Sequence, residues 1–265
     1  MRWTLLFLLG GCAASSARLV DVGSYRIWMH PEGQGAPTVV FVAGGSADWS
    51  VWANITPEVR RHGEVRTVVY DRAGVGRSDP RPGEYRIDDD AAELVRALDA
   101  CDVRGPIVLV AYSYGGFVAT LMAANDPRVA GVVLVDAYPP SFFDAAEVAR
   151  LMARFALVFD ALTRENPASA RVLIPVLQAY PETAKRVREV TFPQSLPTID
   201  IVPDWTWVST FDELLALRLA HKSFLAASPA REAVFAKSSR HNVMRDRPDV
   251  VIDAIVRMVQ RVRGR

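Results

Sequence analysis

One serine in this sequence stands where a chain would place a nucleophile. Residues 108–119 read VLVAYSYGGFVA, a run of strand-forming residues that leads directly into Ser113 and is followed at once by Gly115 and Gly116. A sharp corner between a strand and a helix requires small neighbours, because a Cβ atom close to the bend would collide with the adjoining backbone. A serine hydroxyl is a poor nucleophile at neutral pH, so this interpretation requires a base, an acid and oxyanion donors elsewhere in the chain.

A base can be sought among the four histidines of the chain. His30 lies in a predicted strand, His62 precedes one and His221 lies in a predicted helix. His241 lies in a polar loop just after the last predicted strand. We therefore interpret His241 as the general base and the other three histidines as structural or solvated.

The acid of a triad has three candidates. Asp136 ends the apolar segment GVVLVDAYPP, 23 residues after Ser113. A carboxylate at the end of a buried strand must be compensated, and an imidazole N–H from His241 would be a suitable partner. Asp204, just beyond the segment TIDIV, and Asp212, 29 residues before His241, are the alternatives. The pattern favours Asp136, since Asp212 is more typical of the first turn of a helix.

An oxyanion would need two or more donors placed in advance, and removing one such donor typically costs about 3 kcal/mol of barrier. The backbone N–H of Tyr114 is one candidate, because it would lie at the N-terminus of the helix after Ser113, where the helix dipole favours negative charge. Gly45, in the glycine doublet after the segment TVVFVA, is the other.

Strands and helices alternate around these residues. Strands are predicted at RLVDV, YRIWMH and TVVFVAGG and at residues 65–71, 106–112, 129–137, 197–202 and 232–237, with helices near 88–100, 114–125, 211–226 and 248–263. Continuous Val, Leu and Ile runs separated by amphipathic helices indicate a parallel sheet covered on both faces. The predicted class is therefore α/β, with a mostly parallel central sheet.

Four stretches together resemble the α/β-hydrolase superfamily. AYSYGG resembles its nucleophile elbow, with Ala111 in place of the first glycine, and FVAGGSADWSVW resembles its oxyanion loop. YDRAGVGRSDP resembles the glycine-rich turn after the fourth strand, and SSRHNVMRDRPDVVIDAI resembles the segment that carries the catalytic histidine. We expect a hydrolase core at residues 12–137 and 197–265 and a helical lid at residues 138–196.

This resemblance implies a serine hydrolase that cleaves a small or medium uncharged carboxylic ester. Ser113 would form an acyl-enzyme, His241 would act as general base, and neither a metal ion nor an organic cofactor would be needed. A serine nucleophile argues against haloalkane dehalogenases and epoxide hydrolases, which have aspartate there. The alternatives are a ligand-binding or degenerate protein on the same fold, and a cofactor-free haloperoxidase or lactonase with the same triad.

The composition of the chain limits the kinds of molecule that it is expected to bind. The 265 residues are 50% hydrophobic, enough for one large core. The 31 basic and 30 acidic residues nearly cancel, which argues against a nucleic-acid partner and against a polybasic lipid-binding patch. We expect a small-molecule acyl substrate, and the sequence indicates no protein partner. Phe142, Phe143, Trp205 and Trp207 are aromatic candidates for the wall of its pocket.

The first residues, MRWTLLFLLGGCAASSARL, have the pattern of an export signal, with Arg2 ahead of a short apolar run. Leu9-Gly10-Gly11-Cys12 resembles a bacterial lipobox. We therefore expect a signal peptide at residues 1–11 and a lipidated Cys12 that anchors the chain to a membrane of the cell envelope. In the alternative interpretation Cys12 is incidental and the protein is soluble, either secreted or periplasmic. Cleavage before Cys12 would leave Cys101 as the one other thiol.

Overall fold

The computed structural model describes residues 17–264. The predicted signal peptide and Cys12 lie outside the described residues, so the expectations about export and lipidation stay predictions. Within the described residues, no helix has both the length and the apolar character needed to cross a membrane.

A twisted sheet of eight strands forms the centre of the described chain. The order across it is β1-β2-β4-β3-β5-β6-β7-β8. Strand β2 runs antiparallel to both of its neighbours, β1 and β4, and β3 through β8 are parallel to one another. The strands are β1 Arg18–Asp21, β2 Arg26–Glu32, β3 Thr38–Val42, β4 Arg66–Tyr70, β5 Ile107–Tyr112, β6 Val129–Val135, β7 Thr198–Pro203 and β8 Arg231–Ala236. The predicted α/β class with a mostly parallel sheet is confirmed.

Helices cover both faces of this sheet. The nine of them within residues 17–264 are α1 Thr56–Gly63, α2 Ile87–Ala100, α3 Gly115–Asn125, α4 Ala145–Glu165, α5 Pro167–Gln178, α6 Tyr180–Glu189, α7 Phe211–Ala226, α8 Val243–Asp246 and α9 Pro248–Arg263. The predicted strand and helix boundaries differ from these by a few residues at most. The short helix α1 was not predicted, because TPEVRRHG has few apolar residues to mark a helical face.

Alternate residues of each central strand pack into two separate cores. Val40 and Val42 of β3 face a cluster that includes residues of α2 and α3. Val39 and Phe41 of the same strand face a second cluster, with residues of α1 and α9. The apolar runs of β3 and β5 are therefore buried on both faces, as the continuous hydrophobic pattern predicts.

The segment between β6 and β7 contains α4, α5 and α6 and no strand. Leu151 and Phe155 of α4, with Val176 of α5 and Tyr180 of α6, are buried in the same cluster as α3. The insertion thus packs over the face that carries α3, at the carboxyl edge of the parallel strands, where open α/β sheets bind ligands. Its role as a lid stays a prediction.

Candidate active site

Ser113 occupies a strained corner between β5 and α3. Its φ of 52° lies in the left-handed region, which costs a residue other than glycine about 1–3 kcal/mol. Two hydrogen bonds hold the corner: the Ser113 N–H donates to the carbonyl of Val135 at 3.1 Å, and the Ser113 carbonyl accepts from the Gly116 N–H at 2.9 Å. The neighbouring strand β6 therefore fixes the position of the serine.

The two glycines after this corner allow α3 to approach the sheet closely. A Cβ atom on Gly115 would lie 2.6 Å from the carbonyl oxygen of Val42 and 2.8 Å from that of Ala43. A Cβ atom on Gly116 would lie 2.6 Å from the Cβ of Ala137. These distances are shorter than any normal contact, so the helix that begins after Ser113 can lie where it does only with glycine at both positions.

We expect Gly115→Ala to destabilise the protein by about 1–3 kcal/mol, the usual cost of forcing an extra carbon into a packed site. The measurement is the urea midpoint at unchanged slope. Gly45→Ala is the matched control, because its nearest neighbours would be at 3.8 Å, an ordinary contact. Equal midpoints for the two variants would contradict the steric account.

Asp136 and His241 are brought together although they are 105 residues apart in sequence. Asp136 follows β6 directly, has a φ of 44° and is fully buried. Its N–H donates to the carbonyl of Ile201 on the next strand at 3.0 Å. Its Oδ2 lies 2.6 Å from Nδ1 of His241. Since a carboxylate only accepts, Nδ1 carries the proton of this hydrogen bond, and the neutral form of this imidazole has its lone pair on Nε2.

The other two acid candidates are not hydrogen-bonded to this histidine. The carboxylate of Asp204 is exposed and accepts the Ser238 N–H at 2.5 Å. Asp212 is exposed in the first turn of α7, as its sequence context predicts. The geometry therefore favours Asp136, and its catalytic role stays a prediction.

A second histidine–aspartate pair lies away from this site. His221 of α7 has its Nδ1 2.6 Å from Oδ2 of Asp200 in β7, and both side chains are buried. Neither residue is among those that line the cavity with Ser113. The pair joins α7 to the sheet, in agreement with the structural interpretation of His221.

Gly45 and Tyr114, the oxyanion candidates, line the same cavity as Ser113 and His241. The guanidinium of Arg72 donates to the carbonyl of Gly44 at 3.1 Å and also to that of Gly45. In a planar trans peptide the N–H points opposite to the preceding carbonyl. The N–H of Gly45 is therefore turned away from Arg72.

A buried polar network connects the two oxyanion candidates, and the sequence analysis missed it. Arg72 pairs with Asp90 at 2.9 Å, and both are buried. The Tyr85 hydroxyl donates to the same carboxylate at 2.7 Å and lies 2.7 Å from the Tyr114 hydroxyl. Burial is the main cause that raises the pKa of Tyr114 to about 12, so this phenol stays neutral. One carboxylate thus holds the oxyanion loop and the residue after the nucleophile.

Thr206 is a further residue that the sequence analysis missed. Its hydroxyl lies 2.5 Å from Oδ2 of Asp136 and 2.8 Å from the Tyr138 hydroxyl. It lies two residues after Asp204, in the loop already considered for the acid, but nothing in the type of the residue indicated a contact with Asp136.

The cavity at Ser113 has a volume of about 340 Å³ and a mostly apolar wall. Among residues 17–264, no aspartate, glutamate, lysine or arginine lines it. Of the four aromatic candidates, Phe143 and Trp207 are in its wall, whereas Phe142 is buried against Phe143 outside the lining and Trp205 is 63% exposed. The full lining is Gly45, Ser46, Ser113, Tyr114, Phe117, Tyr138, Phe143, Phe155, Val158, Leu173, Val176, Leu177, Tyr180, Trp207 and His241.

The amino-acid sequence matches a protein-family model and is similar to known proteins. A sequence model described as "Alpha/beta hydrolase family" matches residues 39–254. The uncharacterized protein YqjL of Bacillus subtilis is 26% identical over 231 residues, 85% of each chain. A non-heme chloroperoxidase of Streptomyces lividans is 35% identical over 117 residues, 44% of this chain and 41% of that protein.

The fold itself also has solved counterparts. The crystal structure of a haloalkane dehalogenase loop variant from Bradyrhizobium elkanii superposes with a TM-score of 0.73 at 17% identity, covering 94% of this chain and 97% of that one. At such low identity the likeness concerns the fold alone. Together with the family match, it confirms the predicted hydrolase architecture.

Proposed function

Because the chain belongs to the alpha/beta hydrolase family, we propose that it is a serine hydrolase that cleaves a carboxylic ester through an acyl-enzyme on Ser113. The observation that carries this proposal is a single cavity lined by Ser113, His241, Gly45 and Tyr114. The proposed nucleophile, the proposed base and both oxyanion candidates thus surround one space that a substrate could occupy. Asp136 is hydrogen-bonded to Nδ1 of the proposed base.

The proposed reaction proceeds in two halves. Nε2 of His241 takes the proton of the Ser113 hydroxyl as its oxygen attacks the ester carbonyl, and the N–H groups of Gly45 and Tyr114 stabilise the oxyanion. The alkoxide leaves with the proton from His241, which gives the alcohol and an acyl-enzyme. Water then loses a proton to His241 as it attacks the acyl carbonyl, and collapse of the second oxyanion returns the proton to Ser113 and releases the acid.

The wall of the cavity supports a substrate that is uncharged and of small or medium size. Burying an unpaired charge against aromatic and aliphatic side chains would cost several kcal/mol. In the part of the chain that the structure describes, the lining contains no acidic or basic side chain of Asp, Glu, Lys or Arg that could pair with such a charge. A volume of about 340 Å³ lies at the lower end of the range for small-molecule sites. Val158 and Trp207, each about half exposed, are the large apolar residues of the wall that reach solvent.

A panel of p-nitrophenyl esters with graded acyl chains tests this proposal. We expect kcat/KM to rise with chain length while the acyl group fits the cavity and to fall once it does not. Esters with a charged acyl group should be much poorer substrates than neutral ones of equal size. Hydrolysis of none of these esters by the folded protein would contradict the proposal.

A second candidate function is a cofactor-free haloperoxidase with the same three residues. The observation that favours it is the likeness to the chloroperoxidase of Streptomyces lividans over 44% of this chain. Halogenation of monochlorodimedone with peroxide and a carboxylic acid would support it, and the ester panel separates it from the first candidate. Serine at position 113 argues against dehalogenation, despite the fold shared with a haloalkane dehalogenase.

We further propose that Cys12 is lipidated and holds the enzyme on a membrane of the cell envelope. The segment Leu9-Gly10-Gly11-Cys12 supports it, as does the small, polar stretch before β1. Two or more acyl chains give stable anchoring, where one gives only marginal binding. The near balance of charge offers no electrostatic attraction to an anionic membrane in place of the lipid.

We expect Cys12→Ala to move the protein from the membrane fraction to the soluble fraction of cells that express it. Cys101→Ala is the matched control, because that thiol is buried within the fold and should not affect partition. A Cys12→Ala variant that fractionates with membranes as the wild type does would contradict the lipid anchor.

A further inference from the structure

We propose that Thr206 is a positioning residue for Asp136 and that Tyr138 orients the Thr206 hydroxyl, so that a chain of hydrogen bonds prepares His241 for its reaction. This inference rests on the proposed function of Ser113, Asp136 and His241. It adds two residues, from the loop after β7 and from the segment after β6, to the groups that determine how fast the ester is cleaved.

One carboxylate oxygen of Asp136 accepts the hydrogen bonds from both His241 and Thr206. Oδ2 receives the Nδ1–H of His241 at 2.6 Å and the hydroxyl of Thr206 at 2.5 Å. The other oxygen, Oδ1, is buried and has no hydrogen-bond partner within the described part of the chain. The orientation of a fully buried carboxylate is thus set by two donors on the same atom, and His241 alone would leave it free to rotate about that bond.

Counting the available protons shows which group donates in each hydrogen bond. A carboxylate can only accept, so the single hydroxyl proton of Thr206 must point at Asp136. The Thr206 oxygen can then only accept from Tyr138, whose hydroxyl lies 2.8 Å away. Burial, with the nearby charge of Asp136 as a smaller cause, raises the pKa of Tyr138 above its ordinary value, so the phenol keeps the proton that it donates.

The loop that carries Thr206 is held by contacts on both sides of this residue. The Trp205 N–H donates to the carbonyl of Ser239 at 3.2 Å, which ties the loop to the segment that leads to His241. The Trp207 ring stacks on Phe155 of α4, with centroids 5.7 Å apart and planes 18° from parallel. Thr206 lies between these contacts, so its hydroxyl is fixed relative to the histidine loop and to the helical insertion.

Ionisable groups from several elements face His241 or its partner. Asp136 comes from the end of β6, the Tyr112 ring from β5 lies 4.9 Å from the imidazole, and Tyr138 lies beyond Thr206. Burial raises the pKa of Tyr112 above its ordinary range, and that of Tyr138 is raised as well, so both phenols are neutral at neutral pH. Among the described residues, Asp136 is the carboxylate in direct contact with the imidazole, and its orientation decides how well the imidazolium is stabilised.

We expect Thr206→Val, which keeps the shape but removes the hydroxyl, to lower kcat by about 10- to 100-fold, the range for one hydrogen bond to a charged group. KM should stay within about threefold, because Thr206 is not in the wall of the cavity. Thr206→Ser restores the donor and should recover most of the lost kcat. Thr198→Val is the matched control, since it removes another buried hydroxyl, bonded to the Leu196 carbonyl, from the start of β7.

A double-mutant cycle tests the second link. Tyr138→Phe should lower kcat several-fold in the wild-type background and have no further effect on kcat in Thr206→Val, because the chain is already broken there. Additive losses in kcat would overturn the role of Tyr138. Since Tyr138 also lines the cavity, its effect on KM is expected in both backgrounds and is not the readout.

A measurement on the resting protein separates this inference from the proposed function. The downfield proton resonance of His241 Nδ1–H reports the hydrogen bond to Asp136 without any substrate. We expect it to weaken or move upfield in Thr206→Val and to be retained in Thr206→Ser. Absence of ester hydrolysis by the wild type would contradict the proposed function. The resonance would then still test the chain of hydrogen bonds through Thr206. An unchanged resonance, or an unchanged kcat in Thr206→Val, would overturn the inference, as would a Thr206→Ser variant as impaired as the valine.

Discussion

Replacing Ser113 by alanine is expected to lower kcat for ester hydrolysis by about 10⁶-fold, the loss seen when a triad nucleophile is removed from a serine hydrolase. The physical reason is the elbow: with a φ of 52° at the end of β5, this hydroxyl lies at the floor of the cavity that His241 also lines. Alanine removes the attacking oxygen and leaves the helix packing of Gly115 and Gly116 intact.

Two measurements check this expectation. The first is kcat on the best ester of the panel, and the second is labelling by a fluorophosphonate, which reacts only with an activated serine. The control is Ser223→Ala, an exposed serine of α7 that should leave both unchanged. A wild-type protein that is folded but takes up no probe would instead support a ligand-binding or degenerate hydrolase.

Asp136→Asn is expected to lower kcat by about 10³- to 10⁴-fold while the fold stays intact. The amide can present an N–H to His241 where the carboxylate only accepts, which favours the wrong tautomer, and it lacks the charge that stabilises the imidazolium. The donors that face Asp136, His241 and Thr206, would also lose an ionised acceptor.

Asp204→Asn and Asp212→Asn are the matched controls, since both are the same chemical change at the other two aspartates considered for the acid. Each should cost far less than Asp136→Asn, because Asp204 bonds the Ser238 backbone and Asp212 is exposed on α7. A wild-type kcat for Asp136→Asn, with a collapse in either of the others, would show that the acid lies after β7.

The sequence alone predicted a nucleophile at Ser113 and a base at His241, because the residues around each form a local pattern. A strand, one serine and two glycines within 12 residues specify a sharp corner whatever the rest of the chain does. The continuous apolar runs specify strands buried on both faces, and with the helices between them they lead to the α/β class. Such patterns involve residues that are close in sequence, so they can be recognised without knowledge of the tertiary contacts.

Local sequence patterns could not decide which aspartate contacts His241. Asp136 and Asp204 follow adjacent parallel strands, and Asp212 begins the next helix, so all three are expected at the same edge of the sheet. Which of them meets His241 depends on the register of β6 against β7 and on the path of the loop after each strand. Those are properties of the assembled sheet, and a stretch of sequence around one aspartate does not contain them.

The supporting residues depended on tertiary structure even more strongly. Thr206 acts on a carboxylate 70 residues away, and Arg72 holds glycine carbonyls 28 and 27 residues before it. Likewise both Phe142 and Phe143 are buried in the core, but of the two Phe143 lines the cavity. The sequence by itself determined the order of strands and helices and predicted a nucleophile at Ser113 and a base at His241, because local residue patterns mark these positions. Only the tertiary structure brought Asp136, Thr206 and Phe143 close to them, because hydrogen bonds and packing act between atoms that are close in space and distant in sequence.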